Sequence, residues 1–282
     1  MYGTADRIEV HPCSACGTGS SLPRVGPEAL GPFYPRTYAP YTEPPPGPMR
    51  LVSAAIRGWQ ALLAWRTGPL AAARRRTPGR ALDVGCGRGD LAATLHRHGW
   101  RADGVEPSPE ACAHARARGV EAREGTLATV ELEADAYDFV LFHHSLEHTD
   151  DPERDLRAVA RALRPGGTLV IVCPNFGGWQ ARRFGSRWYH LDVPRHRTHF
   201  TRRGLTALLE RLGFRVGRLS TASTPEGLPG SVQYRIWGRC VVRGGLSLRV
   251  VTALCALGLP LWRLLDVLAG EGDVLRVEAT RA

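Results

Sequence analysis

Leu82-Asp83-Val84-Gly85-Cys86-Gly87-Arg88-Gly89-Asp90 is an apolar strand that runs into a glycine turn and out into a helix. Glycines at alternate positions let the backbone turn tightly and approach a ligand without interference from Cβ atoms. A dinucleotide-binding turn would read G-x-G-x-x-G, and here Asp90 stands where its third glycine would be, which argues against a pyrophosphate ligand. Glu106 closes the next predicted strand, 17 residues beyond Gly89. A carboxylate at that strand end can accept both hydroxyls of a ribose.

Outward from this stretch, strands and helices alternate. Strands are expected at 81–84, 101–106, 120–123, 137–142 and 167–173, with helices at 90–98, 108–118 and 152–163 between them. Apolar strands separated by helices specify a mostly parallel, doubly wound, Rossmann-like α/β sheet covered on both faces. Right-handed crossovers then carry every functional loop to the carboxyl edge of the strands. A helix over 201–212, a strand over 215–219 and an alternating final strand over 273–279 complete the pattern. A further helix, over 50–76, precedes it.

The chain has 282 residues, which favours one domain of about 200 residues with appendages. With 43% hydrophobic and 23% charged residues it is not disordered throughout. A net charge of +10 would suit an acidic partner. However, every one of the 37 basic residues is arginine, and Gly and Pro abound, so the charge reads as compositional bias and nucleic acid is not an expected partner. Seven scattered cysteines and no signal-peptide pattern point to a reducing, cytoplasmic setting without a disulfide framework.

Four regions are expected. Residues 1–49 form a Pro-rich arm carrying the lone pair Cys13-Ser14-Ala15-Cys16, which is half of a zinc site; its stretch 17–48 is too rich in proline for helix or sheet. Residues 50–224 form the core, 225–271 an apolar helical insertion, and 272–282 the final core strand. Within the insertion, Val250 to Trp262 is 13 residues of almost unbroken apolar character. That is about 20 Å of helix, short of the roughly 30 Å of a membrane span. The stretch 246–268 is therefore a packed hairpin or an interfacial segment touching a membrane.

The stretch 82–90, Gly104-Val105-Glu106-Pro107-Ser108 and Leu163-Arg164-Pro165-Gly166-Gly167 together resemble the motifs of class I S-adenosylmethionine-dependent methyltransferases. The resemblance covers 80–220 and the last strand. It implies a seven-stranded sheet whose last strand is antiparallel, with S-adenosylmethionine as cofactor. On this reading Asp83, Gly85, Cys86, Gly87 and Gly89 border the methionine portion, Glu106 and Pro107 the ribose, and Gly125, Thr126, Leu127 and His143 the remainder of the cofactor.

Methyl transfer asks the protein to align an acceptor and, for a hydroxyl, to help remove its proton. Two segments can do so. After the fourth predicted strand comes His143-His144-Ser145-Leu146-Glu147-His148-Thr149-Asp150-Asp151-Pro152, which lacks the Asn/Asp-Pro-Pro-Tyr/Phe of enzymes that methylate exocyclic amines of bases. Relatives of the small-molecule group use Glu-x-x-Glu-His to hold a divalent metal. Here His144 replaces the first glutamate, so a metal on His144, Glu147 and His148 is the less favoured reading beside a bare histidine base.

After the fifth strand comes an aromatic, histidine-rich insertion, Arg187-Trp188-Tyr189-His190 through Pro194-Arg195-His196-Arg197-Thr198-His199-Phe200, shaped as a lid over a small acceptor. It resembles a stretch of a subgroup associated with polysaccharide and secondary-metabolite pathways. Its bland alternative is loop packing alone. A helical turn after the fourth strand would put 144, 147 and 148 on one face, with His196 or His199 crossing over them. The favoured function is methyl transfer to oxygen of a small-molecule or lipid- or sugar-linked acceptor. The alternatives are an RNA or protein methyltransferase and a catalytically silent cofactor-binding scaffold.

Overall fold

β3 (Arg80–Val84), β4 (Arg101–Glu106), β5 (Glu121–Glu124), β6 (Tyr137–His143) and β7 (Leu163–Pro174) pair in parallel in the order β5-β4-β3-β6-β7. These are features of a computed structural model that describes residues 8–34, 50–238, 258, 260–261, 264–269 and 271–282. The sheet continues through β10 (Val274–Arg281) to β9 (Phe214–Ala222), giving seven strands. β10 runs antiparallel to both neighbours and so lies inside the sheet, not on its edge. The doubly wound fold and its reversed last strand agree with the sequence reading.

Helices cover both faces. α3 (Asp90–Arg97) and α4 (Pro109–Arg116) bury Leu95, Cys112 and Ala115 against one side, and α5 (Pro152–Ala162) and α7 (Arg202–Arg211) bury Leu156, Val159, Leu205 and Leu209 against the other. Ser108, Asp151 and Thr201 each accept a backbone N–H in the first turn of the helix that follows, which is why α4, α5 and α7 begin where they do. The expected helix over 50–76 is instead two, α1 (Arg50–Arg66) and α2 (Ala71–Arg74), because Gly68-Pro69 interrupts the pattern between them.

The N-terminal segment departs from expectation. β1 (Glu9–Pro12) and β2 (Gly19–Leu22) form an antiparallel ribbon, and β2 pairs in turn with the two-residue β8 (Thr198–His199) of the lid. A 3-10 helix follows at Pro27–Phe33. The prolines fall outside the paired residues of β2, and Gly19 leaves room that a Cβ would take 2.5 Å from Val10. Cys13 and Cys16 sit in the ribbon turn as free thiols, and among the described residues no metal-holding group includes them. The lid itself carries α6 (Trp179–Phe184) and rests on α8 (Gly227–Trp237). Of the apolar stretch 246–268, only 258, 260–261 and 264–268 lie within the described residues, and these are helical. No helix among the described residues is long and apolar enough to cross a membrane.

Candidate active site

The carboxyl ends of β3, β4, β5, β6 and β7 open on one cavity of about 2110 Å³. At its floor the turn after β3 holds Gly85, Gly87 and Gly89 at φ +74°, +53° and +82°, a region that side chains avoid. A Cβ on Gly85 would lie 2.5 Å from the Ser145 Cβ, so the turn and the segment after β6 are packed backbone against side chain. Glu106 accepts the Gly87 N–H through Oε2 at 2.8 Å and the Ser108 N–H through Oε1 at 2.9 Å, which ties the turn to the end of β4. Burial raises the Glu106 carboxyl, and the two N–H donors oppose that rise. Asp83 is buried, and burial, then Glu106 and Asp90, push it up to about 7. A buried carboxylate in that state is complementary to a cation. Cys86, Pro107, Gly125, Thr126, Leu127 and His143 also line the cavity. Gly89 instead caps α3.

The segment after β6 turns sharply. His144 has φ +53°, in the left-handed region, and the 3-10 turn at Leu146–His148 follows it. Glu147 is 1% exposed, and among the described residues neither of its carboxylate oxygens meets a donor in hydrogen-bond geometry. His144 Nδ1 approaches Glu147 Oε1 at 3.4 Å as an ion pair. Burial would raise Glu147, but His144, then His148 and His196, hold it at about 2. Burial opposes protonation of His144, and Glu147 outweighs it, so the His144 pKa is raised.

The lid brings His196 over this segment. Its Nδ1 donates to the His190 carbonyl at 2.8 Å, which puts the lone pair of the neutral ring on Nε2. The rings of His148 and His196 meet edge to face with centroids 4.6 Å apart. Burial lowers His148 and His196 to about 4, so both are neutral at pH 7. Donor atoms of Glu147, His148 and His196 lie within 4.8 Å of one another. His144 reaches Glu147 but stays outside this group, because its left-handed backbone breaks the helical face that the sequence suggested.

His199 does not join the group either. Its Nε2 pairs with Ser21 Oγ at 2.9 Å, while Ser21 Oγ donates to the His196 carbonyl at 2.8 Å. Of the two lid candidates, His196 faces the cavity and His199 pins the lid to the N-terminal ribbon. Several residues of the site went unread in sequence. His190 Nε2 meets Thr224 Oγ1 at 3.0 Å and Asp273 Oδ2 at 3.2 Å, latching the lid to the loop after β9 and the start of β10. Tyr34 and Asp192 line the cavity beside His148 and His196. The partners of His190 and Tyr34 are distant in the chain, so neither carries a local signal, whereas Asp192 stands one helical turn before His196 and that spacing could have been read.

A family model described as a methyltransferase domain matches residues 58–219. This chain is a class I S-adenosylmethionine-dependent methyltransferase. Ubiquinone biosynthesis O-methyltransferases are among its relatives. That of Aeromonas salmonicida is 38% identical over 103 residues, 34% of this chain and 43% of the relative. That of Pectobacterium atrosepticum is 35% identical over 126 residues, 41% of this chain and 52% of the relative. The chain spans about half the length of the curated relatives it matches.

Two solved structures show the same methyltransferase fold. One is a possible histamine N-methyltransferase from Thermotoga maritima, with TM-score 0.52 and 23% identity, covering 83% of this chain and 97% of that one. The other is geranyl diphosphate C-methyltransferase from Streptomyces coelicolor, with TM-score 0.53 and 16% identity, covering 80% and 77%.

The residues of the methyltransferase suit its cofactor. The Gly85–Gly87 turn leaves a cradle at the cavity floor, where Asp83 would offer a buried carboxylate to the cationic portion and Glu106, with lone pairs beyond its two N–H bonds, would accept the ribose hydroxyls. The Glu147, His148 and His196 set also fits a divalent cation by its chemistry, because a buried carboxylate and one lone pair from each of two neutral imidazoles supply three ligand atoms close together.

Proposed function

We propose that the enzyme methylates a hydroxyl group of a small-molecule acceptor, with His148 as general base and His196 and Glu147 beside it. The observation that carries this reading is that two neutral imidazoles, His148 and His196, line the cavity that also contains the Gly85–Gly87 turn and Glu106, with the buried Glu147 carboxylate close against them. The cofactor, when bound, supplies an activated methyl group and a neutral thioether leaving group. His148 takes the acceptor proton on Nε2 as the acceptor oxygen bonds to carbon, and the nearby Glu147 carboxylate stabilises the imidazolium that forms. The lid excludes water, held by Ser21 at one end and by Asp273 through His190 at the other. Relatives named O-methyltransferases favour oxygen over nitrogen as the acceptor atom.

With labelled cofactor and an identified acceptor, His148→Ala and His196→Ala lower turnover by about 10²-fold or more while cofactor affinity stays near wild type, the size expected on losing a general base. Near wild-type turnover in both variants refutes the assignment. A second reading, in which Glu147, His148 and His196 hold a divalent cation that lowers the acceptor pKa, is favoured by the closeness of their ligand atoms, all within 4.8 Å of one another. It requires turnover to stop with a chelator and to return with added metal. The exposed side chains of Leu261, Leu264, Val267 and Leu268 support a lipid-linked acceptor reached at a membrane surface. Flotation with anionic vesicles at low salt tests this, and a protein left wholly in the soluble fraction refutes it.

A further inference from the structure

The segment before α1 reaches the acceptor side of the cavity. Leu30, Gly31 and Tyr34 line it. The Tyr34 hydroxyl lies 3.0 Å from His148 Nδ1, and the Arg195 guanidinium stands 5.9 Å from the centre of the Tyr34 ring. The same Nδ1 lies 3.1 Å from the Arg195 carbonyl oxygen. A carbonyl can only accept, so that contact is a hydrogen bond only when Nδ1 carries the proton, which leaves the lone pair of the neutral ring on Nε2. A phenol hydroxyl serves either tautomer, and the carbonyl decides between them.

From this geometry we propose that Tyr34 is a positioning residue for methyl transfer: its hydroxyl oxygen accepts from His148 Nδ1–H beside the Arg195 carbonyl and holds Nε2 toward the acceptor. This rests on His148 being the base. As the acceptor proton arrives at Nε2, Nδ1–H becomes part of an imidazolium and a stronger donor, so the Tyr34 oxygen stabilises the charged ring. Among the described residues, the groups that face His148 are His196, Glu147, Asp192, Arg195 and Tyr34. Tyr34→Phe leaves the other four in place and removes one neutral acceptor.

The sign of the effect is diagnostic. An acceptor for Nδ1–H favours the protonated ring, so its loss makes His148 harder to protonate and moves its titration to lower pH. A hydroxyl that donated to a bare Nδ1 would favour the neutral ring, and its loss would move the titration to higher pH.

The test is Tyr34→Phe in the full chain, with folding checked by circular dichroism. Nitrogen-15 NMR of the histidine rings needs no acceptor. Wild type is expected to show His148 protonated at Nδ1 at pH 7, and the variant a His148 titration shifted to lower pH. With an acceptor in hand, kcat falls about 10-fold, the size of one hydrogen bond to a charged group. The acidic limb of the pH profile moves the same way, and KM and cofactor affinity stay within about twofold. A wild-type His148 protonated at Nε2, or a titration in the variant that is unchanged or raised, overturns the proposal. If His148→Ala retains turnover, the base assignment itself fails, and the NMR result then reports on the hydrogen bond alone.

Discussion

Glu106 should hold both the cofactor ribose and the turn that receives the cofactor, and the two roles separate experimentally. Its carboxylate is 4% exposed and accepts two backbone N–H groups at 2.8 and 2.9 Å. Glu106→Ala deletes a charge-assisted pair of contacts to the ribose hydroxyls, worth about 2–3 kcal/mol, or about 30- to 150-fold in affinity. It also leaves the Gly87 and Ser108 N–H groups without an acceptor, at about 1–3 kcal/mol for each one that stays dry. A melting temperature lower by about 2–4 °C per kcal/mol follows for a domain of roughly this size.

Titration calorimetry with S-adenosylhomocysteine and its 2′-deoxy analogue divides the two losses. Wild type binds the deoxy compound more weakly, whereas the alanine variant no longer distinguishes them. Glu106→Gln keeps one acceptor oxygen but cannot accept from both N–H groups, so its affinity falls between the two. A variant that still discriminates against the deoxy analogue as wild type does would refute the ribose assignment, whatever its stability.

Activity should survive acidification further than a free histidine base allows. His148 and His196 titrate near 4, so the base form persists as pH falls, and kcat is expected to stay level down to about pH 5 and decline toward 4; an acidic limb near 6.5 counts against it. Gly85→Ala adds a methyl 2.5 Å from the Ser145 Cβ at φ +74°, so cofactor binding measured by calorimetry is lost while the helical circular dichroism signal remains. Ser21→Ala leaves the His196 carbonyl and His199 Nε2 without their shared partner. Its expected cost is about 1–3 kcal/mol in denaturant unfolding, and proteolysis within 185–200 becomes faster; an unchanged midpoint would show that the ribbon does not anchor the lid.

The glycine turn and its link to Glu106 were legible in sequence because their determinants are local. The strand, glycine turn and helix at 80–97 lie within one short stretch, and Glu106 ends the next strand at a spacing that the topology dictates. Period-2 and period-3.6 patterns are likewise confined to each element. The histidine-rich side of the cavity is built from distant pairs. Ser21 meets His199, Tyr34 meets His148 and His190 meets Asp273, with sequence separations of 178, 114 and 83. Residues 19–22 are poor strand formers that become a strand only by pairing with β1 and β8. His144 shows the same limit at short range, since helical spacing placed it with His148 and a left-handed backbone takes it out of that group.

The ribbon that pairs with β8 also sets a timetable for assembly. Contacts that build the cofactor turn close loops of about twenty residues, such as Gly87 to Glu106, whereas the lid is secured across 175 and 178 residues. Closing the longer loops costs more chain entropy before any contact repays it, and such pairings form late. After dilution from denaturant, the molecule should therefore regain cofactor binding before it regains turnover, passing through a stage that holds the methyl donor with nothing yet shielding it from water.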